Sequence, residues 1–165
     1  MGVNQRAQIV MSEAEVAQFL DRSRTATIGT IGSNGFPHLT AMWYAVIDGE
    51  IWIETKAKSQ KVANLRRDDR ITAMVEAGHT YDTLRGVSIE GRAEIVEDPD
   101  ALWTLGVAVW ERYQGPYTEE MRPGVEFMMN KRVGVRIRPV RTRTWDHRKL
   151  GLPEMPVAGS TAAYV

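Results

Sequence analysis

Residues 54–70, ETKAKSQKVANLRRDDR, set Lys56, Lys58 and Lys61 at a point where an extended segment gives way to a helix. A helix start carries a partial positive charge and unpaired N–H groups, so cations crowding it are unfavourable unless an anion joins them. Thr55, Ser59 and Gln60 add hydroxyl and amide donors to the same step. That set of donors suits a phosphate. The competing reading is an exposed basic helix in which Arg66 and Arg67 pair with Asp68 and Asp69.

A second cluster of charge lies near the C-terminus. Residues 131–149, KRVGVRIRPVRTRTWDHRK, hold eight Lys or Arg against the single acid Asp146, which leaves 13 basic and 20 acidic residues elsewhere. A segment of this kind can attract a polyanion, or it can be one solvated face of a strand. The net charge of 0 and the lack of a base-stacking motif weigh against a nucleic-acid binder. The three histidines, His38, His79 and His147, have no metal-ligand spacing, and the absence of cysteine excludes disulfides and thiolate metal sites. No Gly-rich phosphate loop of the usual kinds is present.

Chemistry of this kind needs a scaffold, and 165 residues with 43% hydrophobic and 25% charged composition suit one folded domain. No apolar run reaches the roughly 18 residues of a membrane span, and the N-terminus lacks a signal-peptide core. The expectation is therefore a cytoplasmic protein with no membrane partner. Ser12 and Glu15 form a capping box ahead of Val16, Phe19 and Leu20, so a short amphipathic helix opens the chain. Strands are predicted over 25–31, 37–47, 50–55, 70–76, 85–96, 133–140 and 142–145. Asp48-Gly49 marks a tight hairpin because both turn positions favour positive φ. Glu97, Asp98 and Pro99 open a helix to about Tyr113 with Leu102, Leu105, Val109 and Trp110 on its apolar side, and a second helical piece covers 118–130. Residues 1–149 read as a single domain, and the Pro-, Gly- and Ala-rich 150–165 as a tail that is poorly ordered unless a partner chain holds it. Six or seven strands in hairpin succession argue for a mainly β protein with flanking helices, an antiparallel barrel closed or nearly so.

The succession GTIGSNGFPHLTAMWYAVIDGEIWIETKAKSQKVANLRRDDRI, followed by RGVSIEGRAEIVEDP, resembles the split-barrel flavin-binding family. That family includes pyridoxamine 5′-phosphate oxidase and the actinobacterial deazaflavin-dependent reductases. The similarity covers roughly residues 12–149, and its most specific parts are the T-x-x-x-S-x-K step and the N-L-R-R-D run. Within the family the chain is most similar to the branch that binds coenzyme F-420.

The resemblance implies a split antiparallel β-barrel of about six strands, paired as a homodimer with a flavin or deazaflavin at the subunit interface. It places Thr40, Ala41, Met42 and Trp43 against the cofactor ring, and Thr55, Ser59, Gln60 and Lys61 on the phosphate, with Lys56 and Asn64 beside them. Lys131 and Arg136, with Arg138, are candidates for the oligoglutamate tail of F-420, while Tyr44, Tyr81 and Trp110 are candidates for the substrate side. The oxidases usually carry Arg at the position of Gln60 and Lys at that of Tyr44, and their C-terminal Arg and His set is only loosely matched by TWDHRKL. These departures argue against pyridoxamine phosphate oxidation and against tight FMN binding. The implied activity is an F-420-dependent or, alternatively, FMN-dependent oxidoreductase that passes hydride to a small electron-poor substrate, with no metal and no catalytic side chain assigned. A cofactor carrier without turnover is the alternative.

Overall fold

The structure, a computed structural model, describes residues 5–156. Its strands are β1 (Ala26–Ile31), β2 (Pro37–Met42), β3 (Ala45–Ile47), β4 (Glu50–Lys56), β5 (Arg70–Ala77), β6 (Arg85–Val96) and β7 (Arg132–Asp146). They form one antiparallel seven-stranded sheet in the order β2-β1-β5-β6-β7-β4-β3. The two edge strands, β2 and β3, are separated in the chain by Trp43 and Tyr44 alone, so the sheet has to curl until its edges approach. No ladder joins those edges, and the barrel stays split there. The helices are α1 (Gln5–Gln8), α2 (Glu13–Arg22), α3 (Gln60–Arg67), α4 (Pro99–Tyr113) and α5 (Arg122–Met129).

Local signals account for most boundaries. Ser12 caps α2 with both halves of the capping box formed, and Asp98 caps α4 by accepting a 2.9 Å bond from the Ala101 N–H. At the β3–β4 turn Asp48 and Gly49 have φ of 52° and 78°, as their hairpin position requires. The barrel interior is filled by Ala26, Ile28, Ile51, Ile53, Ile71, Val75, Val87, Ile89, Val135 and Ile137, with Leu20 of α2 among them. Each large aliphatic side chain so buried contributes about 1.5–3 kcal/mol. Ala45, Leu105 and Val109 form a second cluster that seats α4.

Several expected elements differ. The strand expected over 37–47 breaks at Trp43 and Tyr44, where the fully buried Tyr44 sends its phenol to the Leu20 carbonyl at 2.6 Å. The strands expected over 133–140 and 142–145 are one strand, β7, whose register shifts opposite Glu90 and Gly91. This bulge accommodates Pro139, which has no N–H for the ladder. A Cβ on Gly91 would lie 2.5 Å from the Arg138 carbonyl oxygen, so only glycine fits beside the bulge. The helical piece expected over 118–130 is a 3-10 turn, Glu119–Met121, followed by α5. Helix α1 was not expected. The expected tail begins after a last short turn, His147–Leu150; residues 151–156 have no regular structure, and the rest of the tail lies outside the described residues. Among the described residues no helix is long and apolar enough to cross a membrane.

Candidate functional site

Strand β4 runs directly into the turn that starts α3. Ser59 caps the helix and accepts from the Val62 N–H at 3.4 Å, and the Thr55 hydroxyl donates to the Ser59 hydroxyl at 3.3 Å. Val62 and Leu65 bury one side of this short helix, and Asn64 is fully buried with them. Asn64 accepts from the Gln60 amide at 2.9 Å and donates to the Thr30 hydroxyl of β1 at 3.0 Å. The first turn of α3 is thus fixed to the barrel by a hydrogen-bonded row. Such a row is costly to leave half made.

Lys61 stands in this first turn, half-buried, with no salt bridge or hydrogen bond to a described residue. Burial holds its ammonium below the usual lysine range, with the Glu54 carboxylate pulling the other way. Glu54 is itself pushed up by burial, against the opposing pull of Arg132, with which it forms an ion pair, and of Lys61. Lys56 is exposed at the end of β4, and the Ala57 N–H after it donates to the Lys131 carbonyl at 3.0 Å. That bond brings Lys131, in the left-handed region at φ 59°, beside the lysine turn. Lys56, Lys58 and Lys131 line one cavity of about 940 Å³ with Phe127 and Met128 of α5. The pairing of Arg66 and Arg67 with Asp68 and Asp69 that the competing reading requires does not form: Arg66 pairs with Glu97 and Arg67 donates to the Ile31 carbonyl, while Asp68 binds Arg70 and Asp69 binds Arg92.

Across the split, edge strand β2 turns His38, Thr40 and Met42 inward and leaves Leu39 and Ala41 exposed. His38 shares a cleft of about 290 Å³ with Gln60 and Asn64 of α3. Its Nδ1 and the Thr40 Oγ1 are both buried without a hydrogen-bond partner. Two orphaned polar atoms on one face of β2, with His38 sharing its cleft with Gln60 of the α3 start, fit a group that brings its own hydroxyls. Trp43 is half exposed and lies flat on Tyr113 of α4, with ring centroids 4.3 Å apart and planes 5° from parallel. One indole face is thereby backed and held.

Not all candidates meet. Arg136 is four residues along β7 from Arg132, roughly 13 Å at about 3.3 Å per residue. It pairs with Glu50 and lies over the Trp52 ring. Arg138 pairs with Glu94. Tyr44 is buried in the core, so it cannot line a substrate pocket. Trp110 packs where a Cβ on Gly124 would meet it, and Tyr81 meets the His147 ring at a tilt of 59°. Sequence reasoning missed Tyr113, whose hydroxyl accepts from the Tyr44 N–H at 2.9 Å and fixes the break between β2 and β3. It missed Arg112 as well, which donates to the Leu20 and Ser23 carbonyls at the end of α2 and lies over the Tyr44 ring at 4.7 Å. Both residues sit at a helix end with no local signal of what they reach.

Among solved structures, the chain is similar to conserved hypothetical protein Rv2991 from Mycobacterium tuberculosis, with 71% identity, TM-score 0.92, and 97% of this chain and 100% of that one covered. It is also similar to a protein described as an F420 reductase, with 25% identity, TM-score 0.58, and 76% and 94% covered. The haem storage protein HutZ from Vibrio cholerae shares the fold, with 16% identity, TM-score 0.63, and 81% and 93% covered. No curated protein matches the chain. The sequence pattern of the pyridoxamine 5′-phosphate oxidase family matches residues 12–146, which is most of the chain, and the chain belongs to that family.

Proposed function

We propose that the chain binds a phosphate-bearing deazaflavin, coenzyme F-420, in preference to FMN, and acts as an oxidoreductase on a small electron-poor substrate. The observation that carries this reading is Lys61, a half-buried cation without a partner among the described residues, at the start of α3 and on the step the family resemblance assigns to phosphate. Likeness to an F420 reductase at 25% identity supports the choice of cofactor.

In this reading Lys61, the Ser59 hydroxyl and the free N–H groups of the α3 start hold the phosphate, Gln60 completes its donors, and Thr55 acts from behind by donating to the Ser59 hydroxyl. Asn64 acts from behind by fixing Gln60. His38 and Thr40 offer their unpartnered atoms to hydroxyls of the linking chain, and β2 from Thr40 to Met42 runs beneath the ring. Trp43, backed by Tyr113, gives the ring a flat apolar wall that excludes water. Lys56, Lys58 and Lys131 meet the acidic tail; Arg136 contributes less, because Glu50 already holds its guanidinium. When bound, the reduced cofactor supplies the hydride.

The same reading makes the chain a homodimer. Phe36, Leu39 and Val140 are 72%, 64% and 73% exposed, and Leu39 and Val140 line an outer cavity of the sheet that a second copy would cover. Absorbance titrations of the purified protein with F-420 and with FMN test the cofactor. Saturable spectral change with F-420 at lower concentration than with FMN is expected, and absence of binding to both overturns the proposal. Tight binding without turnover over a panel of acceptors would identify a carrier. A monomer mass by light scattering at micromolar concentration would overturn the dimer.

A further inference from the structure

At the opposite end of the barrel from α3, a cleft of about 510 Å³ opens between α2 and the ends of β5, β6 and β7. Arg22, Arg24, Arg85 and Arg148 line it with Glu15, Glu76 and Asp146. The cleft is unconnected with the cofactor step, since Ile71, near the cofactor end of β5, and Ala77, in this cleft, are six residues apart, roughly 20 Å along a strand at about 3.3 Å per residue.

The charges in the cleft are unevenly spent. Asp146 stands directly opposite Arg85 in the ladder, yet Arg148 takes both its oxygens, at 2.8 and 2.6 Å, and the Arg148 N–H binds it again at 3.1 Å. Glu15 is held by Lys149 at 2.7 Å. Arg85 is left to turn across the cleft, where its guanidinium lies 5.9 Å from the centre of the Phe19 ring. Among the described residues, Arg22, Arg24 and Arg85 have no carboxylate within 4.0 Å, and Arg24 spends one nitrogen on the Asp21 and Ser23 carbonyls. Exposed Glu76 is the acid that remains. Three arginines without a carboxylate partner thus line a space of ligand size with a single free acid to balance them.

We propose that this cleft binds a small molecule through a multiply charged oxyanion group, phosphate or carboxylate, held by Arg85, Arg22 and Arg24. The forked N–H geometry of arginine matches both groups, and half-buried Arg85, steadied on Phe19, gives the site one pre-positioned fork. Arg22 and Arg24 close the cleft from the C-terminal end of α2 and the link that follows it. Their charges also favour that helix end, but the helix-end role does not account for Arg85.

The test is calorimetric titration with inorganic phosphate and with citrate, both at a fixed chloride concentration, of the full chain carrying Lys61→Ala, which removes the cation of the α3 phosphate step. Saturable one-to-one binding of at least one of them is expected, and the tighter of the two identifies phosphate or carboxylate as the recognised group. Arg85→Gln and Arg22→Gln, each added to that chain, should weaken it by at least about fivefold. Arg22 is exposed, so Arg22→Gln keeps the test valid even if Arg85→Gln disturbs the fold. No saturable heat in the Lys61→Ala chain would overturn the proposal. So would binding that survives both arginine changes.

Discussion

Strand β7 and the turn into α3 are both rich in cations, and the fold treats them in opposite ways. Along β7 and the turn after it, Arg132, Arg136, Arg138, Arg143, Arg148 and Lys149 each meet a carboxylate: Glu54, Glu50, Glu94, Glu90, Asp146 and Glu15. The neighbouring strands β4 and β6 supply four of those six acids, so the basic segment is one half of a cross-strand pattern whose other half lies far away in sequence. At the α3 turn, Lys56, Lys58 and Lys61 have no such partner among the described residues. A run of charge points to a ligand only where the fold leaves it unanswered. The longer run is the less informative of the two.

The comparison breaks most sharply at Glu54, the acid shared by the two regions. Glu54→Ala leaves half-buried Arg132 without its carboxylate and deprives Lys61 of its one nearby anion. A loss of about 1–3 kcal/mol in stability is expected, read as a lowered midpoint in urea unfolding. An unchanged midpoint would mean that the pair is not formed in solution.

A second expectation concerns pH. Burial lowers the pKa of Lys61 in the folded apo protein below its unfolded value, so the charged form costs stability below the folded pKa, and that cost is relieved as pH rises through it. An anionic cofactor reverses the preference. Cofactor affinity is therefore expected to decline across the alkaline range in which apo Lys61 loses its proton, a range below the ordinary lysine value. Lys61→Arg, which stays charged throughout, should flatten that decline. Parallel pH profiles for wild type and Lys61→Arg would remove Lys61 from the site.

The smallest expected effects come from paired substitutions. Lys56→Gln with Lys131→Gln should weaken F-420 by a few-fold and FMN by less, since the tail carboxylates belong to F-420 alone. Arg136→Gln with Arg138→Gln should change both affinities by less than about twofold, because exposed or paired charges of this kind contribute roughly 0–1 kcal/mol. Fluorescence titration of the two double variants with each cofactor sharpens the contrast, and the reverse order would transfer the tail to β7.

Much of the scaffold was legible in the sequence because its signals are local. The capping box at Ser12, the Asp48-Gly49 turn and the alternation along 85–96 each predict the element that forms. The strand-to-helix step at Thr55–Lys61 was equally legible, since cap, apolar side and cations are contiguous there. What escaped depends on contacts between distant residues. The break at Trp43 and Tyr44 is set by Tyr113, 69 residues away in the chain. The neutralisation of β7 is set by strand order, and the bulge that fuses two expected strands into one is set by Gly91 on the neighbouring strand.

The central claim is that an anion of the cofactor completes the charge at the start of α3, and Lys61→Ala tests it most directly. Charge-assisted hydrogen bonds contribute about 1.5–3 kcal/mol, so the variant should bind F-420 and FMN roughly tenfold more weakly or worse. Its apo thermal midpoint should stay level or rise slightly, because a half-buried cation at a helix start is removed. Fluorescence titration and thermal melts of the same two proteins give both readings. Unchanged affinity for both cofactors would contradict the account, whatever the melts show.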